Sequence, residues 1–384
     1  MSEEIQSFRI EVPQEQLDDL QKRLQHARWP EQETVAGTEA PWSQGIPLHY
    51  TQELARYWRE DYDWRATEAR LNDIPQFRTV IDGLGIHFLH VRSPHEDALP
   101  LLMTHGWPGS IVEFLKVIGP LTDPTTHGGS PEDAFHLVIP SLPGFGFSDK
   151  PDHASWGIPR IAMAWEQLML RLGYERFAAQ GGDWGSMVTS GLAVGHPAHL
   201  AGIHLNMPVV GPDPDTLDSM TDVEMGALAS FDNYQKNESG YSTQQSTRPQ
   251  TLGYGLADSA VGQMAWIVEK FWAWTDCDGD PTNVLTEDEL LDNVMMYWLT
   301  NSAASSARLY WESFADVDLR EIGVPTACSI FPKEIFQTSE RWASKRFTDL
   351  RHFNRLDKGG HFAAFEQPEL FVAELRAGLS SMRG

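Results

Sequence analysis

Cysteine is scarce: Cys277 and Cys328 are the whole supply, too few for a small secreted disulfide scaffold and in keeping with two free thiols in a reducing compartment. Basic charge is short as well. Against 54 Asp and Glu stand 29 Lys and Arg, a formal charge of -25, and a field of that sign repels phosphate backbones and anionic lipid surfaces. Nucleic acid is therefore not an expected partner. The chain also lacks any uninterrupted apolar run of about 18 residues, the length that crosses a bilayer, and its opening MSEEIQSFRIEVPQEQ has no basic region followed by an apolar one. Neither export nor membrane attachment is expected, which makes the cytoplasm the expected location. What the chain does have is bulk. With 384 residues, 41% of them hydrophobic and 11% aromatic, it can bury a large core, and disorder is not the expectation.

The first part reads as helical. Pro13 opens a segment in which Leu17, Leu20 and Leu24 share a face, and one longer helical stretch covers about residues 48–71. Residues 77–81 and 86–91 read as strands around a turn at 82–85, and a buried-type run follows at 99–103. Further strand candidates at 135–139, 177–180, 203–205 and 325–330 are separated by helical stretches at 111–121, 158–172 and 186–194. This is the pattern of an α/β fold with a mostly parallel, doubly wound sheet. Between about 208 and 314 the alternation stops and helices take over, at 262–274 and at 287–303, the second behind the capping box Thr286-Glu287-Asp288-Glu289. Helices inserted over a sheet form a lid. Within it, KNESGYSTQQSTRPQ at 236–250 is polar and turn-rich and reads as a loop. No internal repeat is present. The chain thus divides into an N-terminal extension with the first core strands (1–95), a first core part (96–207), the helical lid (208–314) and a second core part (315–384).

Gly181-Gly182-Asp183-Trp184-Gly185 stands between a strand and a helix candidate, the setting of a nucleophile elbow, with Asp where a hydroxyl is usual. Small residues at 181 and 185 permit a turn sharp enough to lift one side chain above the sheet, and a helix N-terminus favours negative charge there. A plain helix cap is the competing reading of these five residues alone. A carboxylate suits attack on saturated carbon and yields an alkyl ester, so Asp183 selects epoxides and alkyl halides as substrates. His105-Gly106-Trp107-Pro108-Gly109-Ser110 follows the run at 99–103, where an α/β hydrolase carries the loop that completes its oxyanion hole. That position assigns the backbone N–H groups of Trp107 and Trp184 to the hole, which would act when water attacks the ester. Lys358-Gly359-Gly360-His361-Phe362 places a histidine in a glycine-rich turn before a helical stretch at 368–378, where the base of this fold sits. An imidazole can take a proton from water provided that an acid orients it. Glu334, directly after the strand candidate at 325–330, is the preferred acid; Asp213 and Asp215, after the preceding strand, are the fallback, and Asp357 is too near His361 in sequence.

Four segments, HGWPGS at 105–110, SLPGFGFSDKP at 141–151, GGDWGS at 181–186 and GGHFAAFEQPEL at 359–370, together resemble the microsomal-type, or juvenile-hormone-type, epoxide hydrolase family of the α/β-hydrolase superfamily. The resemblance covers nearly the whole chain. Residues 8–30 and 64–77 resemble that family's N-terminal region, which wraps the catalytic domain and lid. The resemblance implies two lid tyrosines whose phenols donate hydrogen bonds to the epoxide oxygen as the ring opens. Tyr310 in Arg308-Leu309-Tyr310-Trp311-Glu312 matches one. Tyr241, ahead of Thr247-Arg248-Pro249, matches the other, with Tyr254 close enough to compete; Tyr234 and Tyr297 read as lid packing. Membrane-bound members carry a hydrophobic N-terminal anchor where this chain begins MSEEIQSF, so it resembles a soluble bacterial member. Some such members resemble enzymes of actinomycete natural-product pathways, enediyne antibiotics included, in which an aryl epoxide becomes a vicinal diol.

The expected reaction needs no metal or organic cofactor and takes a small-molecule epoxide as partner. Trp266, Trp272, Trp274, Trp298 and Trp311 suit a bulky apolar or aromatic substrate, although most of them read as lid core. A homodimer is the expected assembly on frequency alone. Two rivals stand beside this reading: a haloalkane dehalogenase, with the same Asp elbow but halide-binding N–H donors in place of phenols, and a catalytically silent binding protein on the hydrolase scaffold.

Overall fold

Short apolar runs separated by amphipathic helices make strands that must be covered on both faces. In the computed structural model, which describes residues 4–195, 197–315 and 317–383, they form one sheet. Its strands are β1 (Gln6–Ser7), β2 (Gln76–Ile81), β3 (Leu84–Val91), β4 (Leu99–Thr104), β5 (Phe135–Pro140), β6 (Phe177–Gly181), β7 (Leu200–Leu205), β8 (Thr326–Ile330) and β9 (Leu350–Arg355). Their order is β1-β2-β3-β5-β4-β6-β7-β8-β9. Pairing is antiparallel from β1 to β5 and parallel from there to β9. Every residue of β5, β6 and β8 is buried, as the runs without polar alternation require. Helices Ile158–Arg171 and Asp183–Gly195 pack together against the sheet, and Leu115–Thr122 and Pro368–Leu379 form a second such pair.

The predicted strands and core helices lie where the sequence puts them, to within a few residues, and three helical expectations change. The single helix at 48–71 is two, Leu48–Glu60 and Trp64–Asn72, because the Asp63 side chain accepts from Arg65 N–H and starts a new helix. The stretch at 287–303 stops at Trp298 and resumes as Ala303–Ser313; Asn301 between them has φ +51°, which no right-handed helix carries. The largest correction concerns 236–250. That segment is not a loop but a helical turn at Tyr234–Glu238 followed by helices Gly240–Thr247 and Pro249–Asp258. Its polarity misleads because the hydroxyls of Ser242, Ser246 and Thr247 fold back onto backbone carbonyls three or four residues earlier, while Tyr241, Ser242 and Gln245 form a buried face. Pro249 then occupies the first helical position, where its missing N–H costs nothing.

The segment before β2 clasps the helices inserted between β7 and β8. The buried carboxylate of Asp292 accepts hydrogen bonds from Tyr62 Oη at 2.8 Å and Thr67 Oγ1 at 2.6 Å and pairs with Arg70. Trp42 stacks on Trp272, ring centroids 4.8 Å apart. Both cysteines are free and buried, and no described helix is long and apolar enough to cross a membrane. Removing the Asp292 carboxylate strands two hydroxyl donors, so Asp292→Ala is expected to destabilise the protein by about 2–4 kcal/mol, read from the midpoint of urea unfolding. A change below about 0.5 kcal/mol would show that the clasp is not a stabilising contact.

Candidate active site

At the end of β6 the backbone turns into helix Asp183–Gly195 through Asp183 itself, whose φ is +48°. An L residue is strained there and persists only when its surroundings leave it no choice. The neighbours supply that compulsion: a Cβ on Gly181 would overlap the Gly185 carbonyl, and one on Gly185 the Thr104 carbonyl. The turn closes only without those atoms.

The Asp183 side chain, nearly buried, is held from two sides. Trp107 N–H donates to Oδ1 at 2.7 Å, and His361 Nε2 lies 3.3 Å from Oδ2. On the far side of the imidazole, His361 Nδ1 is 2.7 Å from Glu334 Oε1. The loops that carry these two residues are laced together by Lys333 N–H donating to Gly359 O, and the His361 N–H donates to Trp274 O at the end of helix Ala260–Trp274. Burial pulls the His361 pKa down, but Glu334 and Asp183 on either side outweigh it, and the net direction is well above the ordinary histidine value. Asp213 and Asp215, the fallback acids, face Lys345 at 3.3 and 3.9 Å instead.

Above this chain sit the two expected phenols. The Tyr241 ring stacks on Trp107 at 5.0 Å and meets the Tyr310 ring at 5.8 Å; Tyr310 also stands edge-on to Trp184 at 4.8 Å. Burial raises both phenols well above the ordinary tyrosine pKa, with Asp183 adding to the effect at Tyr310, and Tyr310, Tyr234 and Asp183 adding to it at Tyr241. Both therefore stay protonated as hydrogen-bond donors. Tyr254, the competitor for Tyr241, is 71% exposed, whereas Tyr241 is buried. Tyr234 is more than packing, since its Oη lies 3.0 Å from Tyr241 Oη.

Other residues serve the site in ways the sequence does not show, among them Tyr297, which read as lid packing and instead hydrogen-bonds the Trp107 loop. Asn293 and Tyr297, one turn apart on helix Glu287–Trp298, donate to Pro108 O and Gly109 O at 2.7 Å each, and Ser110 Oγ donates to Asn293 Oδ1 at 2.8 Å. They fix the loop that carries Trp107 N–H. His105, in the same loop, accepts from Leu142 N–H at Nε2, so its Nδ1–H faces Gly106 O; burial lowers its pKa to about 4 and it is a neutral brace. Glu366 accepts Asp276 N–H at 2.8 Å next to the His361 turn, and burial raises its pKa to about 7. The i, i+4 spacing of Asn293 and Tyr297 is an ordinary helical face, and nothing in the sequence says what it meets.

The sheet order, the elbow at 181–185 and the histidine after the last strand define an α/β hydrolase with aspartate in the nucleophile slot. Comparison with known proteins agrees. Residues 5–114 match the family described as epoxide hydrolase N terminus, and residues 100–252 match the alpha/beta hydrolase fold. A putative epoxide hydrolase of Stigmatella aurantiaca is 55% identical, over 99% of this chain and 86% of that protein, and epoxide hydrolase 1 of Sus scrofa is 37% identical over 97% and 88%. Among solved structures, Aspergillus niger epoxide hydrolase superposes with a TM-score of 0.89 at 33% identity, covering 99% of this chain and 97% of the other. Juvenile hormone epoxide hydrolase from Bombyx mori gives 0.89 at 31%, covering 100% and 95%. The chain belongs to the epoxide hydrolase family of the microsomal and juvenile-hormone type, and the protein is an epoxide hydrolase.

The fit at Gly106 offers a direct check, because a Cβ there would overlap the Asp183 carboxylate. Gly106→Ala is expected to lower kcat/KM for styrene oxide by at least about 100-fold with little loss of thermal stability. Near wild-type turnover in a folded Gly106→Ala protein would show that the carboxylate does not work from this position.

Proposed function

We infer that the enzyme opens its epoxide in two covalent steps, with Asp183 as nucleophile, Tyr241 and Tyr310 as donors to the epoxide oxygen, and His361 with Glu334 as the base that releases the diol. The observation that carries this reading is the continuous line from Trp107 N–H through Asp183 and His361 to Glu334, with contacts of 2.7, 3.3 and 2.7 Å. One Asp183 oxygen attacks an epoxide carbon from behind the C–O bond. That bond breaks, and the leaving alkoxide takes a proton from the tyrosine pair, whose hydrogen bonds strengthen as charge builds on oxygen. The product is a hydroxyalkyl ester of Asp183.

Ester formation removes the negative charge of Asp183 and with it one of the two causes that hold the His361 pKa up. The imidazolium then gives up its proton, which returns to the tyrosine pair, and the neutral imidazole accepts one from water, while Glu334 stabilises the imidazolium formed anew. Water attacks the ester carbonyl carbon, and the charge that develops on its oxygen falls on the N–H of Trp107, with Trp184 N–H as the assigned second donor. Collapse of that intermediate breaks the ester C–O bond and the diol oxygen takes the proton from His361; the water's second proton, left on the Asp183 carboxyl, then passes to His361, which restores the carboxylate and the imidazolium beside it.

An open groove of about 1130 Å³ reaches Tyr241 between Trp42, Trp266 and Trp272 on one part of its wall and Glu238, Glu269 and Lys270 on another; the tryptophans support a bulky apolar or aryl epoxide as substrate. A natural-product role, in enediyne pathways or others, rests on the sequence resemblance alone. The chain units 208–314 as lid and 1–95 as wrapping extension remain the organisation we propose, supported by the Asp292 clasp between them.

A single turnover with excess enzyme in heavy-oxygen water tests the reading. The first diol is expected to carry no solvent oxygen at the attacked carbon, the label going into Asp183; solvent label in that first diol would exclude the ester. His361→Gln is expected to trap the adduct by slowing its hydrolysis at least about 100-fold. Tyr310→Phe should slow adduct formation by about 100-fold without changing the hydrolysis rate; an unchanged alkylation rate removes Tyr310 from the mechanism.

A further inference from the structure

Behind the nucleophile lies a small internal cavity of about 20 Å³, lined among others by Gln180, Asp183, His361 and Glu113. About 10–15 Å³ of such space suffices for one water molecule, provided that the walls offer polar partners. They do. Gln180 Nε2 donates to Asn206 Oδ1 at 2.9 Å, but Gln180 Oε1, in a side chain only 1% exposed, has no hydrogen-bond partner among the described residues. Leaving a buried amide oxygen unpaired is costly, so a donor is called for there.

Glu113 is the unexplained wall. It sits in the 3-10 turn Ile111–Phe114 after the Trp107 loop and is buried; the Ser110 backbone N–H donates to its carboxyl, and among the described residues it pairs with no cation. Its carboxyl packs against Gly109 so closely that a Cβ on that glycine would overlap it. Burial raises its pKa to about 8; His361 opposes the rise, Asp183 adds to it and the Ser110 N–H opposes it. At neutral pH it is therefore a carboxylic acid, with both a donor and an acceptor oxygen. One backbone donor leaves most of the hydrogen-bonding capacity of a buried carboxyl open, and such capacity is rarely left unused in a core.

We propose that this cavity seats the water that hydrolyses the Asp183 ester and that Glu113 is its positioning residue. The inference rests on the two-step reading above and extends it to a group outside the nucleophile, acid, base and tyrosine set. The water gives one proton to His361 Nε2 while its second hydrogen bonds to an acceptor of the wall, the Glu113 carboxyl or Gln180 Oε1. Its oxygen then forms the new bond to the Asp183 carbonyl carbon, the ester C–O bond breaks, and the proton on His361 leaves with the diol. Glu113 ends the cycle in the protonation state in which it began.

The two half-reactions can be timed separately by quenching and weighing the intact protein, in which the ester appears as an added substrate mass. Glu113→Leu is expected to form the adduct at the wild-type rate and hydrolyse it about 10- to 100-fold more slowly, so that the adduct accumulates and kcat falls with little change in kcat/KM. Glu113→Gln, neutral and of the same shape, should hydrolyse it at close to the wild-type rate. Hydrolysis by Glu113→Leu at the wild-type rate, equal slowing of both steps, or a Gln variant as impaired as the Leu variant would each overturn the proposal. If Glu113→Leu does not fold, Gln180→Leu reads the opposite wall by the same measurement, and unchanged ester hydrolysis there has the same force. Absence of any adduct, in His361→Gln as well, is a different result: it removes the ester reading itself.

Discussion

The position of one carboxylate governs the site. Asp183 occupies a left-handed backbone conformation at the end of a fully buried strand, a choice that costs of order 1–3 kcal/mol and is repaid by the packing of the sheet around it. In return, Oδ1 meets a backbone N–H and Oδ2 meets an imidazole without any freedom to point elsewhere. The preorganisation that lowers a barrier is thus built from rigid elements, and the glycines at 106, 181 and 185 are the space it requires.

Charge follows from that position. Two carboxylates flank one imidazole, with buried phenols above and a buried acid behind. Before substrate arrives the imidazolium is the stable form, which suits holding Asp183 in place but not accepting a proton. In the two-step reaction we propose, turning the carboxylate into an ester removes one negative neighbour, and the histidine becomes a base only when there is an ester to hydrolyse. The same desolvation raises the tyrosines and keeps them protonated as donors in the resting site. One low-dielectric pocket therefore sets opposite tasks for its groups through what each has beside it.

The parts legible in the sequence are those written in local pattern. Strand and helix alternation gave the sheet, and Asp183, His361 and Glu334 were found because each follows a strand in the order this fold demands; their convergence at 3.3 and 2.7 Å is a matter of topology. Tyr310 and Tyr241 came from a resemblance, and burial separates Tyr241 from Tyr254 in a way that spacing does not. The segment 236–250 was misread because serine and threonine hydroxyls satisfied inside a helix look the same in sequence as those of a solvated loop. Glu113 and Gln180 were invisible for a related reason: an acid or amide in a core has no signature until the walls around it are known.

Helix Glu287–Trp298 joins the distant parts. Asp292 on it receives Tyr62 and Thr67 from the N-terminal segment, while its neighbour Asn293 and, one turn on, Tyr297 hold the carbonyls of Pro108 and Gly109. Residues one apart on a helix point about 100° from each other, so this element faces the extension on one side and the Trp107 loop on the other. Among the described residues no hydrogen bond or ion pair joins the N-terminal segment to the catalytic groups proposed here, yet it fixes the helix that fixes the N–H on which the Asp183 carboxylate rests. Its bearing on the proposed reaction is positional: a loop that must hold a hydrogen bond of 2.7 Å to the Asp183 carboxylate needs support that does not shift, and the clasp at Asp292 supplies it from outside the sheet.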